Sequence, residues 1–246
     1  MDQRLRSPAL PQRLHTGRFA GSFARGLLPG KTPRTGDARI SGTLASLAGL
    51  EEALHQDDPL LIDLAIRRIH LLYSLIFSMG GVPLIYLGDE VGTLNDYTYR
   101  LRPTKPKTVA GFTVPPSTGS RSPAAGSVHG RRTHLRLRSS TSPTWRQETP
   151  ILAGHEMDVV HLPNDHVFAC VRSNGAGRLL VVANFTEREQ IVDANSLRLH
   201  GLGYDFHDLI GDQPVHAGDE LRLNRIRSCG WWRQKIMPVA YRPGLI

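Results

Sequence analysis

The stretch that decides the fold is Gly80-Gly-Val-Pro-Leu-Ile-Tyr-Leu-Gly-Asp-Glu-Val-Gly-Thr-Leu-Asn-Asp96, where an apolar run ends in a turn with two adjacent carboxylates. A buried parallel strand that delivers polar groups to the mouth of an α/β barrel has this pattern. We therefore predict a short buried strand at Val82–Leu87, with Asp89 and Glu90 in the turn after it.

Two helices are predicted before this strand. Ser41–Leu54 places four leucines on one helix face, and Ser41 or Thr43 can cap its first turn. Asp58–Met79 has a stronger helical pattern, with one polar stripe on an otherwise apolar circumference, so we expect it to pack on a sheet with a narrow wet face. Its charged residues exclude a membrane span. The stripe consists of Asp63, Arg67, His70, Ser74 and Ser78. Helix, glycine turn and strand together predict one αβ unit of a parallel sheet.

After Thr149 apolar and polar residues alternate, which is typical of strands in an antiparallel sheet. Turn-forming residues separate the segments, so we predict an antiparallel β module over 149–223, with a sandwich as its form. The predicted strands are Met157–Leu162, His166–Arg172, Arg178–Thr186, Gln190–Asp193, Asp208–Gly211, Pro214–Val215 and Glu220–Leu223.

The chain of 246 residues has a net charge of +8, and much of the excess lies in two basic zones, 100–146 and 222–242. These zones and the first 35 residues are poor in hydrophobic periodicity, so we predict irregular structure at 1–35, 100–146 and 224–246. Neither basic zone has the interleaved aromatic side chains of a base-stacking surface, and we expect no specific nucleic-acid partner.

The cysteines and the N-terminus predict a cytoplasmic protein. Cys170 and Cys229 are two lone thiols without metal-type spacing, which fits a reducing compartment. Met1–Arg13 lacks the apolar core of a signal peptide. We expect no membrane partner, and because the histidines show no metal-ligand spacing, we expect no metal site.

Two strings, Thr35–Glu51 and Gly81–Asp96, resemble the amylosucrases and sucrose hydrolases of glycoside hydrolase family 13 in residues, order and spacing. Weaker similarity covers Thr16–Gly26, Leu179–Phe185 and His207–Gly211. The resemblance implies an α/β fold, namely the C-terminal part of a (β/α)8 barrel. The last helices and strand 8 of the barrel would lie at 36–99, and an antiparallel β-sandwich domain at 149–223 would follow. The implied remainder is an irregular barrel-loop remnant at 1–35, a disordered linker at 100–148 and an irregular tail at 224–246.

The resemblance also implies an activity, which is cleavage of sucrose with transfer of glucose to an α-1,4-glucan, without a metal or organic cofactor. A sucrose hydrolase fragment and a non-catalytic glucan-binding β module are the alternatives. Retaining transfer needs two carboxyl groups about 5–5.5 Å apart. The family's catalytic Asp, Glu and Asp match no position in this chain, because they belong upstream of Met1. We therefore expect no catalytic residue here and no activity from this chain alone.

One residue is a candidate for substrate binding. Arg39 aligns with an arginine that helps to line the acceptor side of the family's pocket, and the guanidinium fork suits sugar hydroxyls. Arg18 and Arg25 are weaker candidates. Asp89 and Glu90 do not form a catalytic pair, because adjacent residues on an extended segment point to opposite faces. We expect them to bind backbone amides of the loop or a basic side chain.

The basic zones depart from the family's pattern in a way that indicates a changed reading frame. The family continues with Asp-Ser-Arg-Trp-x-His-Arg-Pro where this chain has Thr108–Pro116. Suitable codons for Pro103–Pro115, read from the third nucleotide, give Asp-Glu-Ala-Lys-Asp-Ser-Arg-Trp-Leu-His-Arg-Pro. The same offset turns Asn224–Trp231 into Pro-His-Gln-Val-Leu-Trp-Val, which is similar to the family's last strand. Our hypothesis is that these zones are frame-shifted.

Overall fold

The computed structural model describes residues 9–28, 34, 38–97, 143–154, 156–226 and 229–234. The chain divides into two compact units. Unit 1 comprises residues 1–70 and 84–139, and unit 2 comprises residues 71–83 and 140–246. The predicted disordered linker lies almost entirely outside the described residues.

Unit 1 is built from short helices that glycines interrupt. The helices are α1 (Ala9–His15), α2 (Leu44–Leu47), α3 (Leu50–Gln56) and the first part of α4 (Pro59–Ser78), followed by a 3-10 turn at Asp89–Val91. Thr43 caps α2 as predicted, because its hydroxyl accepts a hydrogen bond from the Ser46 N–H at 3.2 Å. The single helix predicted over Ser41–Leu54 is wrong. Gly49 has a φ of 98°, which ends α2 and starts α3 in a new direction.

Helix α4 confirms the strong helical pattern. Its first N–H groups are capped by Asp58, whose Oδ1 accepts from Leu60 N at 2.8 Å and from Leu61 N at 3.3 Å. The prediction that the polar stripe of α4 is exposed to solvent is only partly correct. Asp63 is exposed, whereas Ser74 and Ser78 are buried. Ser78 is tolerated there because its hydroxyl donates to the Leu75 carbonyl at 2.7 Å.

The buried strand predicted at Val82–Leu87 is wrong for this structure. The segment has no regular secondary structure, and Val82 and Leu84 are 96% and 78% exposed. A parallel strand needs hydrogen-bonding neighbours, and no parallel pairing occurs within the described residues. Those residues accordingly contain no closed barrel.

Unit 2 contains the antiparallel β module that the alternating pattern predicts. Its strands are β1 (Asp158–Val159), β2 (Val167–Asn174), β3 (Gly177–Asn184), β4 (Gln190–Asp193), β5 (Asp205–Asp208), β6 (Gln213–His216), β7 (Glu220–Leu223) and β8 (Cys229–Gln234). A six-stranded sheet has the order β1-β2-β3-β8-β5-β6, and a two-stranded sheet pairs β4 with β7. Helix α6 (Ala194–Arg198) follows β4, and helix α5 (Pro143–Glu148) with a 3-10 turn at Pro150–Leu152 precedes β1.

The core of unit 2 lies among residues of both sheets. Leu180, Val182, Val192, Phe206 and Leu221 are each at most 3% exposed and belong to one hydrophobic cluster. The β2–β3 hairpin sets the register, with Cys170 opposite Val181. The β module is therefore two packed antiparallel sheets, as a sandwich requires.

Three predicted irregular segments contain regular structure. Helix α1 lies within 1–35, and α5 lies within the predicted linker. The irregular tail predicted at 224–246 is wrong for Cys229–Gln234, because β8 pairs with both β3 and β5 inside the six-stranded sheet. Its two tryptophans favour extended backbone, and the neighbouring strands supply hydrogen-bond partners on both sides.

Candidate functional site

The side chain of Asn95 is the centre of a buried polar cluster in unit 1. Asn95 is 3% exposed, and its Oδ1 accepts a hydrogen bond from the Thr43 N–H at 2.8 Å. Its Nδ2 donates to the Arg25 carbonyl at 2.5 Å and to Glu51 Oε2 at 3.2 Å. The Asn95 N–H donates to Ser46 Oγ at 3.0 Å. One amide thus joins the loop after the 3-10 turn to the N-terminus of α2 and to α3.

The charged groups around Asn95 are paired with one another. The Tyr97 hydroxyl donates to Glu51, and the Arg25 guanidinium forms a salt bridge with Glu52. A hydrogen bond from Gln56 and the charge of Arg25 hold the pKa of Glu52 below its usual range. Tyr97 is 51% exposed, and its partial burial, together with the hydrogen bond to Glu51, raises its pKa to about 12. These carboxylates are engaged in holding the unit together.

Of the adjacent residues Asp89 and Glu90, Glu90 has the structural role that the sequence predicts for the pair. The Gly88 N–H donates to Glu90 Oε2 at 2.8 Å, within the turn itself. Gly88 and Gly92 flank the turn with φ values of 99° and 65°. The Glu90 carboxylate therefore satisfies a loop amide, which confirms one of the two expected roles.

Arg39, the predicted substrate-binding residue, lies outside the polar cluster around Asn95. Arg39 is exposed, and the described residues give it no hydrogen bond or ion pair. Arg18 is exposed as well, whereas Arg25 is half-buried and donates to the Ser22 and Ala24 carbonyls at 3.1 and 3.0 Å. A role in substrate binding for Arg39 thus stays a prediction, and Arg25 is occupied by its own loop.

Two arginines of unit 2 converge on the C-terminus of α4, a feature that the sequence analysis missed. Arg172 on β2 is 1% exposed and donates to the Ser78 carbonyl at 2.8 Å and to the Gly154 carbonyl at 2.7 Å. Arg146 on α5 donates to the Phe77 and Met79 carbonyls at 2.6 and 2.7 Å. Cations are favourable at a helix C-terminus, where carbonyls lack intrahelical partners.

The burial of Arg172 has an electrostatic cost. Burial, together with the nearby charge of Arg146, lowers the pKa of Arg172. Its Nε is buried and has no hydrogen-bond partner within the described part of the chain. The one indication of this role in the sequence is that an arginine lies within the apolar run of β2. A charged side chain is seldom fully buried in a strand unless other groups pair with it.

Two surface clefts of unit 2 carry polar side chains. One, of about 530 Å³, is lined by apolar residues around Ile191 and by Asn164, Asp193, Asn195, Asp219 and Glu220. The other, of about 480 Å³, contains His207, whose Nε2 lies 2.9 Å from Asp212 Oδ1, and also Glu148. Amides and carboxylates in a partly apolar cleft are suited to hydrogen-bond hydroxyl-rich ligands.

Other chemical groups give no catalytic arrangement. Burial raises the pKa of the Cys170 thiol to about 11, so this buried cysteine stays protonated at neutral pH. Within the described ranges, no three His, Cys, Asp or Glu side chains are placed to hold a metal ion. None of the described helices combines the length and hydropathy needed to cross a bilayer.

Comparison with known proteins supports the fold. No family model matches the sequence. An Anoxybacillus α-amylase matches over 81% of this chain and 37% of its own, with a TM-score of 0.52 and 14% identity. The α-amylase of Geobacillus thermoleovorans complexed with acarbose matches with a TM-score of 0.48 and 16% identity, over 80% of this chain and 46% of its own. AmyP in complex with maltose matches with a TM-score of 0.49 and 17% identity, over 71% of this chain and 35% of its own.

These similarities concern architecture. At such identities only the fold is shared, and the match to the Anoxybacillus enzyme, with a TM-score above 0.5, carries that statement. The chain spans about 35% of the AmyP structures that it matches. The described units therefore have the fold of a part of an α-amylase.

Proposed function

We propose that this chain is the C-terminal part of an α-amylase-type enzyme, in which the last helix and strand segment of a barrel precedes a β-sandwich domain. The observation that carries the proposal is the fold match to the Anoxybacillus α-amylase, which covers 81% of this chain but 37% of the enzyme. The order of elements agrees with it, since α4 and the Val82–Asp96 segment come before the antiparallel module.

Within that fold, the amylosucrases and sucrose hydrolases are the proposed relatives. The support is the pair of strings Thr35–Glu51 and Gly81–Asp96. The intact enzyme would cleave sucrose and transfer glucose to an α-1,4-glucan, or to water in the hydrolase alternative. Arg39 is the proposed contact of this chain with the acceptor, and its exposed guanidinium is free of the buried polar cluster.

This chain alone is proposed to be inactive. In unit 1, Glu51, Glu52 and Glu90 are each engaged by a neighbouring hydroxyl, guanidinium or backbone amide. Retaining sugar transfer instead needs two carboxyl groups facing one glycosidic bond from about 5 Å apart. Carboxylates held in separate structural contacts do not provide that geometry.

The activity test uses the purified full chain with sucrose, alone and with a maltooligosaccharide acceptor. Release of glucose or fructose is measured against a heat-denatured sample of the same preparation. We expect the two samples to be equal. Turnover that co-purifies with the folded chain and is lost in Arg39→Ala would overturn the proposed inactivity and keep the proposed substrate class.

A changed reading frame is the proposed origin of the basic segment at 100–146. The support is the family motif obtained from Pro103–Pro115 by reading from the third nucleotide. The nucleotide sequence of the gene decides the matter. We expect the offset frame to encode Asp-Ser-Arg-Trp-Leu-His-Arg-Pro, and an offset frame without these codons would refute the proposal.

Glucan binding by the β module is a second candidate function, favoured by the cleft that Asn164 and Glu220 help to line. The test is native electrophoresis in gels with and without amylose. Glu220 and Glu189 both lie near Arg222, at 3.5 and 3.7 Å, but only Glu220 lines the cleft. We expect amylose to retard the wild type and Glu189→Gln more than Glu220→Gln. Equal migration of the wild type in both gels would end this proposal.

A further inference from the structure

The turn between β2 and β3 contains the one Asn-Gly step of the sequence, at Asn174 and Gly175. Both residues are exposed, and Asn174 pairs with Gly177 at the closed end of the hairpin. A Cβ at Gly175 would meet nothing within 4 Å, so the space beside its backbone is open. Because glycine has no Cβ, its backbone nitrogen can approach the side chain of the preceding residue more closely than that of any other residue.

The carboxamide of Asn174 connects this hairpin turn to the 3-10 turn at Pro150–Leu152. Its Nδ2 donates to the Pro150 carbonyl at 2.9 Å and to the Ala153 carbonyl at 3.4 Å. Its Oδ1 accepts a hydrogen bond from the Ala176 N–H at 2.9 Å. The isoleucine and leucine of the 3-10 turn are at most 2% exposed, so this exposed carboxamide holds a buried part of unit 2 in place.

The Ala176 N–H is placed to assist an attack on the same carboxamide. When a nucleophile adds to Cγ of Asn174, negative charge develops on Oδ1, which is the atom that already accepts this hydrogen bond. The backbone nitrogen of Gly175 is the nucleophile next in the chain, and no side chain shields it. The turn therefore combines an unshielded nucleophile with a donor for the oxyanion.

We propose that Asn174 is a site of deamidation, and that the reaction releases the 3-10 turn at Pro150–Leu152 from the hairpin. The Gly175 nitrogen gives its proton to hydroxide and forms a bond to Cγ of Asn174, while Nδ2 takes a proton from water and leaves as ammonia. Water then opens the cyclic imide at either of its carbonyls and gives aspartate or isoaspartate. One water is consumed and one ammonia is released, and nothing is oxidised or reduced.

Either product removes the donor that Asn174 provides. A carboxylate only accepts hydrogen bonds, so the Pro150 and Ala153 carbonyls lose this partner and face a negative charge. Isoaspartate also inserts an extra carbon into the main chain beside the pair of Asn174 and Gly177, which disturbs the register at the end of the hairpin. The 3-10 turn should therefore open more often after the reaction.

The modification should also change the cleft of about 480 Å³ that contains His207. Pro150 and Ala176 both line this cleft, and the carboxamide of Asn174 is hydrogen-bonded to both residues. Asn174 thus connects two walls of the cleft. Its deamidation should let these walls separate and should add a negative charge next to them.

Peptide mapping by mass spectrometry of the folded full chain, incubated at mildly alkaline pH, tests the site. We expect Asn174 to deamidate before Asn195, which is also exposed but precedes a serine. Gly175→Ala should suppress the reaction, and its fold should tolerate alanine because the backbone there is not left-handed and the Cβ meets open space. Deamidation of Asn174 that is no faster than that of Asn195, or that Gly175→Ala leaves unchanged, would overturn the proposal.

The same incubation in concentrated urea measures what the fold contributes. We expect Asn174 to react at least as fast in the folded chain, because the Ala176 N–H assists the attack only there. Faster reaction in urea would refute the role assigned to Ala176.

Asn174→Asp tests the consequence for the 3-10 turn. Hydrogen exchange in peptides covering residues 150–153 should become about fivefold faster than in the wild type, since the donor to two carbonyls is lost. Asn195→Asp is the matched control, because it makes the same charge change at another exposed asparagine and should leave these peptides unchanged. Equal exchange in Asn174→Asp and the wild type would contradict the proposed release of the turn.

Discussion

The backbone N–H of Thr43 donates to Oδ1 of Asn95 at 2.8 Å, across 52 positions of the sequence. Thr43 is the N-cap of α2, and Asn95 lies in the loop after the 3-10 turn. The same amide donates to the Arg25 carbonyl from its nitrogen. Three segments that are distant in sequence thus share one buried side chain, which makes Asn95 a polar crosslink among the described residues of unit 1.

Replacing Asn95 by alanine should loosen unit 1. The Thr43 N–H and the Arg25 carbonyl would lose their partner in a poorly hydrated site, which costs about 2–3 kcal/mol in all. Hydrogen exchange read by mass spectrometry should show faster exchange in peptides covering α2 and the loop after Val91. Gln56→Ala, at an exposed position of α3, should change the free energy of unfolding by less than about 0.5 kcal/mol. Equal protection in the two variants would contradict the crosslink.

Arg172 should matter far more than its neighbour Arg178. Arg172→Ala leaves the Ser78 and Gly154 carbonyls without this donor, and we expect a loss of about 2–4 kcal/mol. Arg178 on β3 is exposed and donates to one carbonyl, that of Gly201, so Arg178→Ala should cost less than about 1 kcal/mol.

Urea unfolding followed by tryptophan fluorescence measures this difference, since all three tryptophans belong to unit 2. Arg172→Lys is an informative third variant, because an ammonium lacks the planar fork that reaches two carbonyls, and it should recover only part of the loss. Full recovery by lysine would mean that charge alone, without the fork, holds the end of α4.

Local patterns in the sequence predicted the elements whose stability is local. The periodicity of Asp58–Met79 and the alternation after Thr149 located α4 and the strands β2, β3, β4 and β7 to within a few residues. Helix α6 was missed, although Asp193 caps it through a hydrogen bond from the Asn195 N–H at 2.9 Å. At five residues it is too short to show a helical period.

The failures concern features that depend on partners distant in sequence. Val82–Leu87 has the composition of a buried strand, but burial requires neighbouring strands, which the described residues do not supply. Strand β8 shows the opposite error. Its basic composition predicted irregular structure, but the segment pairs with two neighbouring strands. The contacts of Asn95 and Arg172 likewise join segments whose proximity no local pattern reveals.

Gly49 should be less replaceable than Gly21, although both need a left-handed backbone. Their φ values are 98° and 80°, so alanine costs about 1–2 kcal/mol of backbone strain at either position. A Cβ at Gly49 would also lie 2.9 Å from Phe23 Cδ2, whereas a Cβ at Gly21 would meet nothing within 4 Å. Thermal unfolding should therefore rank Gly49→Ala below Gly21→Ala, and equal melting temperatures would exclude a packing role for Gly49.

Tyr97 should make the chain less stable in strong alkali. Partial burial and the hydrogen bond to Glu51 raise its pKa to about 12, above the value of about 10 expected in the unfolded chain. Between these two pH values the unfolded state has already lost the phenolic proton while the folded state keeps it. The free energy of unfolding contributed by this group therefore falls as the pH rises from about 10 to about 12, and it is fully present below pH 10.

Urea titrations at a series of pH values between 9 and 12 should show a shallower decline for Tyr97→Phe than for the wild type. Phenylalanine keeps the ring but cannot ionise in either state. Tyr86→Phe, at an exposed tyrosine of the Val82–Leu87 segment, should decline like the wild type. Identical slopes for Tyr97→Phe and the wild type would mean that the hydroxyl beside Glu51 titrates as it does in the unfolded chain.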